Sequence, residues 1–364
     1  MDRPSARRSK LRRLLKRDRL PGLLVTNFTN VQYLTGFAGG DTFLLITGDD
    51  EILISDTRYE TDLSNLCPDM KAEIRGPSKT TIQAAAEIAA KRKLPSLGFE
   101  SGSLTVSMHG TLDRTLPKTE LVATEGLVEE LREIKDADEI AAIRRAVEIA
   151  EKVFNRFKAG YRGDWTERGV AADLEHEIRQ RGGLGCAFEP IIGVGDHGAL
   201  PHAMLTDRRF DEASTILVDW GAREAGGYRS DLTRILNVGK IPAKLEKAYN
   251  AVLKAQITSI ERIKPGVRFE QIDTAARKVI EKAGMGKNFT HAVGHGIGLG
   301  LHEAPRLGPG QTGTLQAGMV VTVEPGVYFP GKFGIRIEDD VLVTKNGFEI
   351  LTSVPKELSD TIVS

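Results

Sequence analysis

Between residues 218 and 340 stand four carboxylates and one imidazole in contexts that set them apart: Asp219 in ILVDWGA, Asp231 in YRSDLTR, His295 in AVGHGIGLGLHEAP, Glu324 in VVTVEPG and Glu338 in GIRIEDD. Asp219 ends an apolar run at residues 215–218, where a strand leaves the core, and a charge buried there needs a partner. In GIRIED the two-residue period of a strand puts Arg336 and Glu338 on one face and Ile335 and Ile337 on the other. The same period in MVVTVEP separates Thr322 and Glu324 from Val321 and Val323. Asp219 and Asp231 read as two arms of a hairpin that adds two more carboxylates.

Four carboxylates and one imidazole form a hard, oxygen-rich donor set that suits Mn, Co, Fe or Zn better than a thiolate-type structural zinc site. Four negative charges exceed what one divalent ion balances. Two ions about 3.5–4 Å apart, sharing carboxylates, would neutralise them and supply a nucleophile at neutral pH. The residues therefore point to a dinuclear hydrolase.

The elements that must position these groups fall into two domains, as 364 residues predict. Residues 20–125 alternate short apolar runs (GLLVT, TFLLIT, EILIS, LGFE) with helical stretches such as residues 80–93, an α/β pattern. Residues 127–158 form a charged helical pattern broken near 134–138, where Asp136 or Asp138 reads as a helix start. The boundary is placed there, giving domains 1–130 and 131–364. Further helices are expected over 165–180, 244–263 and 269–283, with Gly160 and Gly284 as C-terminal caps. The first 19 residues carry nine Arg or Lys. With no apolar core of signal-peptide length after them, they read as an amphipathic helix with Leu11, Leu14 and Leu15 inward and a solvated charged face.

Lys plus Arg equals Asp plus Glu at 50 each, so net charge gives no support for a nucleic-acid partner. No stretch has the length of a membrane span. Cys67 and Cys186 are too few for a disulfide framework, which makes a reducing cytoplasm the expected location. The glycines at 294, 296, 298 and 300 lack the spacing and strand-to-helix context of a dinucleotide loop. They read instead as room for backbone to close around His295 and His302. His109 and His197 are expected to be structural.

The order Asp, Asp, His, Glu, Glu within VDWGA, SDLTR, GHGIGLGLHEAP, EPGVY and GIRIEDD resembles the pita-bread metallopeptidases, a group that includes methionine aminopeptidase, aminopeptidase P and prolidase. Within it the chain most resembles the Xaa-Pro peptidases, and NVQYLTGF and DTRY resemble their creatinase-like N-terminal domain. The resemblance implies a mixed α/β (α+β) chain: a creatinase-like α/β domain, then a pita-bread catalytic domain with internal pseudo-symmetry. It implies that Asp219 chelates one ion, that His295 and Glu324 hold the other, and that Asp231 and Glu338 bridge. Manganese is the first choice, ahead of cobalt, iron and zinc. It further implies that Glu324 shuttles the proton, that His202 in ALPH and His302 stabilise the oxyanion, and that His291, Tyr328 and Arg336 line a slot for the proline after the scissile bond. Proline-containing peptides are the implied substrates and a homodimer the implied assembly. The alternatives are a methionine-aminopeptidase-like or creatinase-type hydrolase, or a non-catalytic peptide-binding relative; creatinase-type relatives lack the full ligand set. One departure stands out. Asp219 and Asp231 are 12 residues apart, one more than the family usually has. The extra residue is harmless in the turn at 225–227, but in a strand it would turn Asp231 to the wrong face.

Overall fold

The computed structural model describes residues 3–363; Met1, Asp2 and Ser364, which the expected terminal segments include, lie outside the described residues. The chain divides into two compact units, Met1–Arg132 and Glu133–Ser364.

The first unit is built on a six-stranded sheet in the order Lys71–Arg75, Glu51–Asp56, Phe43–Thr47, Gly22–Val25, Ser96–Glu100, Glu120–Thr124. The apolar runs legible in the sequence supply its middle, where Leu24, Leu45, Ile52, Ile54 and Leu97 are buried against Ile82, Ala85, Ala86 and Ala89 of the helix Thr81–Arg92. That helix begins at a capping box between Thr80 and Gln83. The strands Lys71–Arg75 and Glu120–Thr124, the second with only the short run Leu121, Val122 and Ala123, escape sequence reading. They are edge strands, half-exposed and charged, as edges that resist further pairing tend to be. The basic first helix, Arg3–Arg17, does bury Leu11 and Leu15, but its charged face is not simply solvated. Arg8 is buried and donates to Glu51 Oε2 at 2.6 Å and Leu34 O at 2.9 Å, and Arg12 donates to Glu51 Oε1 at 2.5 Å. These bases hold the helix down on its own unit. His109 packs edge-on to Phe99.

In the second unit, Asp136 caps the helix Ala137–Ala159 and Glu139 completes its capping box. Gly160 ends that helix at φ −98°, so no left-handed cap is formed there, whereas Gly284 takes φ +81° after the helix Phe269–Lys282. Two sheets form the body. One runs Ile362–Val363, Leu232–Val238, Thr215–Trp220, Ile191–Val194; the other runs Glu303–Leu307, Gly294–Gly296, Val320–Val323, Asp339–Val343, Phe348–Ile350. Alternation sorts the first sheet's side chains. Ile216, Val218, Trp220 and Leu232 pack with Phe154, Val170 and Leu174 of the two helices before the hairpin, and the Trp220 ring stacks on Phe154 at 4.2 Å. Leu217 and Ile235 face the opposite way, into the core formed with Tyr249, Val252, Ile272, Val321, Val323, Ile335 and Ile337. Asp219 and Thr233 share that second face. A bridge between Thr233 and Glu338 joins the two sheets at their seam.

Candidate metal centre

The hairpin brings the first two carboxylates together. Its register runs without a slip from Thr215 opposite Asn237 to Trp220 opposite Leu232, and again at Arg223 opposite Arg229. Asp231, two residues before Thr233, therefore lies on the same face as Asp219. Gly221 is required for this approach, because a Cβ there would sit 1.9 Å from Ser230 O.

The third carboxylate comes from the seam. Glu338 N–H donates to Thr233 O at 3.2 Å, and Thr233 Oγ1 donates to Glu338 Oε2 at 2.7 Å. Glu324 follows the strand Val320–Val323 and is tied by its N–H to Val293 O at 2.8 Å. His295 lies in the adjacent strand Gly294–Gly296. Its Nδ1 is 3.0 Å from Gly296 O, which places the ring proton on Nδ1 and leaves the Nε2 lone pair facing Glu324 Oε1 at 3.4 Å and Asp231 Oδ2 at 3.8 Å. One ligand atom each of Asp231, His295 and Glu338 lies within 4.8 Å of the others.

As this set stands, negative charge faces negative charge. Burial raises the carboxyls of Asp231 and Glu338 well above the carboxylate range, and mutual repulsion with Asp219 and Glu324 adds to it. Burial also pushes Glu324 up to about 7 and raises Asp219, even with Arg336 beside it. Asp219 Oδ1 and Glu338 Oε1 are buried without a hydrogen-bond partner. Leaving such charges uncompensated costs several kcal/mol per ion. A lone pair on Nε2, two unpartnered oxygens and a cluster of mutually repelling carboxylates fit a divalent cation, and they fit little else. Arg336 Nη2 donates to Asp219 Oδ2 at 2.5 Å, which leaves Oδ1 as the oxygen of Asp219 without a partner in the protein.

All ten residues singled out from the sequence line one cavity of about 840 Å³: Asp219, Asp231, His295, Glu324 and Glu338 with His202, His302, His291, Tyr328 and Arg336. His202 and His302 are exposed at its surface, and the His302 ring meets the His295 ring edge-on at 4.4 Å. Arg336 Nη1 donates to Tyr328 OH at 2.7 Å, and Tyr328 OH lies 3.0 Å from His291 Nε2. His291 Nδ1 is 2.8 Å from Ala292 O, so the phenol hydroxyl donates to Nε2 and the ring is neutral. Burial lowers its pKa to about 4. Phe188, Ile191, Leu301 and Met204 add apolar wall.

Sequence reading missed two supporting groups. Thr233 holds Glu338 and accepts from Arg336 Nε at 3.1 Å, and buried Asp340 accepts the Asp231 N–H at 3.1 Å. Each lies two residues beyond a candidate ligand, Asp231 or Glu338, so the strand period that marks the candidates also marks these positions.

The pattern of metallopeptidase family M24 matches residues 141–345, and that of the creatinase/prolidase N-terminal domain matches residues 7–134. The chain belongs to metallopeptidase family M24. A Xaa-Pro dipeptidase of Pyrococcus horikoshii is 33% identical over 98% of this chain and 100% of its own length. Among solved structures, a Xaa-Pro dipeptidase from Bacillus anthracis superposes with a TM-score of 0.93 at 34% identity, covering 99% of this chain and 100% of that one. An X-Pro aminopeptidase from Thermotoga maritima gives 0.89 at 30% identity, covering 98% and 99%.

Proposed function

We propose that this metallopeptidase hydrolyses the peptide bond before proline at the N-terminus of peptides or in dipeptides. The observation that carries the reading is the His295 Nε2 lone pair set against Asp231 and Glu324, with Glu338 in the same cluster, beside a slot walled by His291, Tyr328 and Arg336.

Asp219, Asp231, His295, Glu324 and Glu338 would hold two divalent ions, with manganese ahead of cobalt, iron and zinc. Ions bound there supply Lewis acidity toward the scissile carbonyl and lower the pKa of water to the neutral range. The chain's own groups do the rest. Glu324 accepts a proton from the attacking water and passes it to the leaving imino nitrogen. His202 and His302, on the cavity rim, donate to the oxyanion as it develops. The His291 ring, the Tyr328 phenol and the Arg336 stem make flat walls against which a pyrrolidine ring packs, and Arg336 keeps Asp219 oriented. Two free cysteines are in keeping with work in the cytoplasm, and family resemblance supports a homodimer.

The test is hydrolysis of Ala-Pro, Ala-Pro-Ala and Met-Ala-Ser after metal removal and again after manganese is restored. Cleavage of the proline substrates, dependent on metal, is the expected result, and the dipeptide to tripeptide ratio separates prolidase from aminopeptidase P action. Cleavage of Met-Ala-Ser alone would move the chain to the methionine branch.

A further inference from the structure

Among the described residues, Glu167 is one of the buried carboxylates that the chemistry above leaves unused. Glu167 opens the helix Glu167–Gln180, and its two oxygens accept from Val194 N–H at 2.9 Å, Thr206 N–H at 2.9 Å and Thr206 Oγ1 at 2.6 Å, with His197 Nδ1 at 2.8 and 2.9 Å. Val194 and Thr206 are the two ends of one loop, His197 lies inside it, and His202 is carried on its returning limb.

The two limbs of this loop are supported differently. The incoming limb, a short turn over Gly195–Ala199, is packed against backbone. A Cβ on Gly193 would lie 2.5 Å from Gly198 Cα, and one on Gly334 would lie 1.9 Å from Gly198 O. On the returning limb Ala203 turns inward, but Leu200 is 53% exposed, Met204 is 80% exposed and His202 is exposed too. Its tie to the strand Phe333–Arg336 is Pro201 O, 3.4 Å from Arg336 Nη1, at the long end for a hydrogen bond. Where the returning limb stands is therefore set by where it is fastened. It is fastened at Thr206, to the carboxylate that also holds Val194, and by Arg168, whose N–H donates to Thr206 O at 3.1 Å.

We infer that Glu167 is a positioning residue for His202: it draws both ends of the loop to one point, and so sets how far the His202 imidazole stands over the cavity. The geometry needs an acceptor at both oxygens, since every neighbour is a donor. An amide in its place would turn an NH2 toward N–H groups and release one end. Catalytic groups lose effect steeply when displaced by about 1 Å. The inference rests on the oxyanion role proposed for His202.

The test is a double-mutant cycle on the metal-loaded full chain with Ala-Pro-Ala or Ala-Pro, measuring kcat, KM and bound metal for Glu167→Gln, His202→Ala and the double variant. His202→Ala is expected to lower kcat by roughly 10²-fold. Glu167→Gln should lower kcat by roughly 10- to 10²-fold at unchanged metal content, and the double variant should be no worse than His202→Ala within about twofold. Thr206→Val, which removes the hydroxyl bond alone, should show a smaller loss with the same coupling, and it carries the cycle if Glu167→Gln does not fold. A silent His202→Ala would remove the assignment on which the inference stands. An impaired His202→Ala onto which the Glu167→Gln loss multiplies in full would leave His202 its role and overturn the inference, as would wild-type kcat in Glu167→Gln.

Discussion

Arg336 Nη2 lies 2.5 Å from Asp219 Oδ2 across 117 residues of chain, and both side chains are buried. The same guanidinium donates from Nη1 to Tyr328 OH and from Nε to Thr233 Oγ1, so one planar group spans the candidate metal cluster, the seam between the sheets and the Tyr328 wall of the cavity. A lysine at 336 keeps the charge but not the fork. Arg336→Lys is expected to lower kcat/KM on proline substrates by roughly 10²-fold with metal still bound. Arg336→Met goes further, leaving Asp219 buried without its cation, and should destabilise the metal-free protein by about 3 kcal/mol. Chemical denaturation with and without metal checks both variants. An Arg336→Lys enzyme of wild-type efficiency would show that the fork is dispensable.

The buried carboxylates give the metal-free protein an inverted response to pH. Glu324 titrates near 7 in the folded chain against about 4.5 in a free carboxyl, and Asp231 and Glu338 are raised further. Over that interval the folded state holds protons that the unfolded state has released, so stability rises as pH falls through about 7. Below about 6.5 the sign is opposed by His291 and His295, both lowered to about 4, because unfolded imidazoles take up protons that the folded ones refuse. The melting temperature in chelator should therefore climb by several degrees from pH 8 to about 6.5 and rise less steeply below that, since three raised carboxyls outnumber the two opposing imidazoles. With saturating manganese the trend should reverse, since only deprotonated ligands bind the ion. A chelated protein that loses stability steadily from pH 8 downward would contradict the charge arrangement described here.

His291 offers a test free of metal. Arg336 donates to the Tyr328 oxygen, Tyr328 donates to His291 Nε2, and Nδ1–H donates to Ala292 O, a chain that works only with a neutral ring. Its imidazole proton signals should titrate with a midpoint near 4, and the ring should stay neutral through the whole range in which a peptidase of this kind is assayed. A midpoint near 6.5 would mean that water reaches the ring and that the wall of the slot is not closed.

What the sequence made legible were the features that depend on local order: the candidate ligand types, the two-residue period that aims Glu324 and Glu338 each at one face of its strand, and the helix start at Asp136 or Asp138, which Asp136 caps. Their neighbourhood was not legible in the same way. The role expected of Asp219 comes from the family resemblance, but the arginine that bonds its Oδ2 lies 117 residues further along the chain. Arg8 and Arg12 looked like a solvated face because Glu51, which pairs with both, is some 40 residues away in a different element. Glu167 stands in the first turn of its helix, a position that local order does not single out. Its role shows only once Val194 and Thr206 are brought to the same point.

The spacing between Asp219 and Asp231 can be tested by moving the length change along the hairpin. The strands stay paired up to Arg223 opposite Arg229, and Glu224 N–H bonds Tyr228 O at 2.9 Å, so the connection proper is Ala225, Gly226 and Gly227, with Gly227 at φ +92°. Deleting Ala225 leaves a Gly-Gly pair, which suits the two-residue turns that match strand twist. Asp219 and Asp231 then keep their shared face, and activity and metal content should stay within roughly threefold of the parent. Inserting one glycine between Asp231 and Leu232 changes the length by the same single residue, but inside the paired strand. There it rotates Asp231 onto the face of Trp220, away from His295 and Glu338. Metal content should fall and turnover should drop by roughly 10³-fold or more, because a candidate metal-holding carboxylate has been turned into the core. Loss of the site in the Ala225 deletion would show instead that the turn itself holds Asp231 in place, and that the longer hairpin of this chain is a requirement rather than slack.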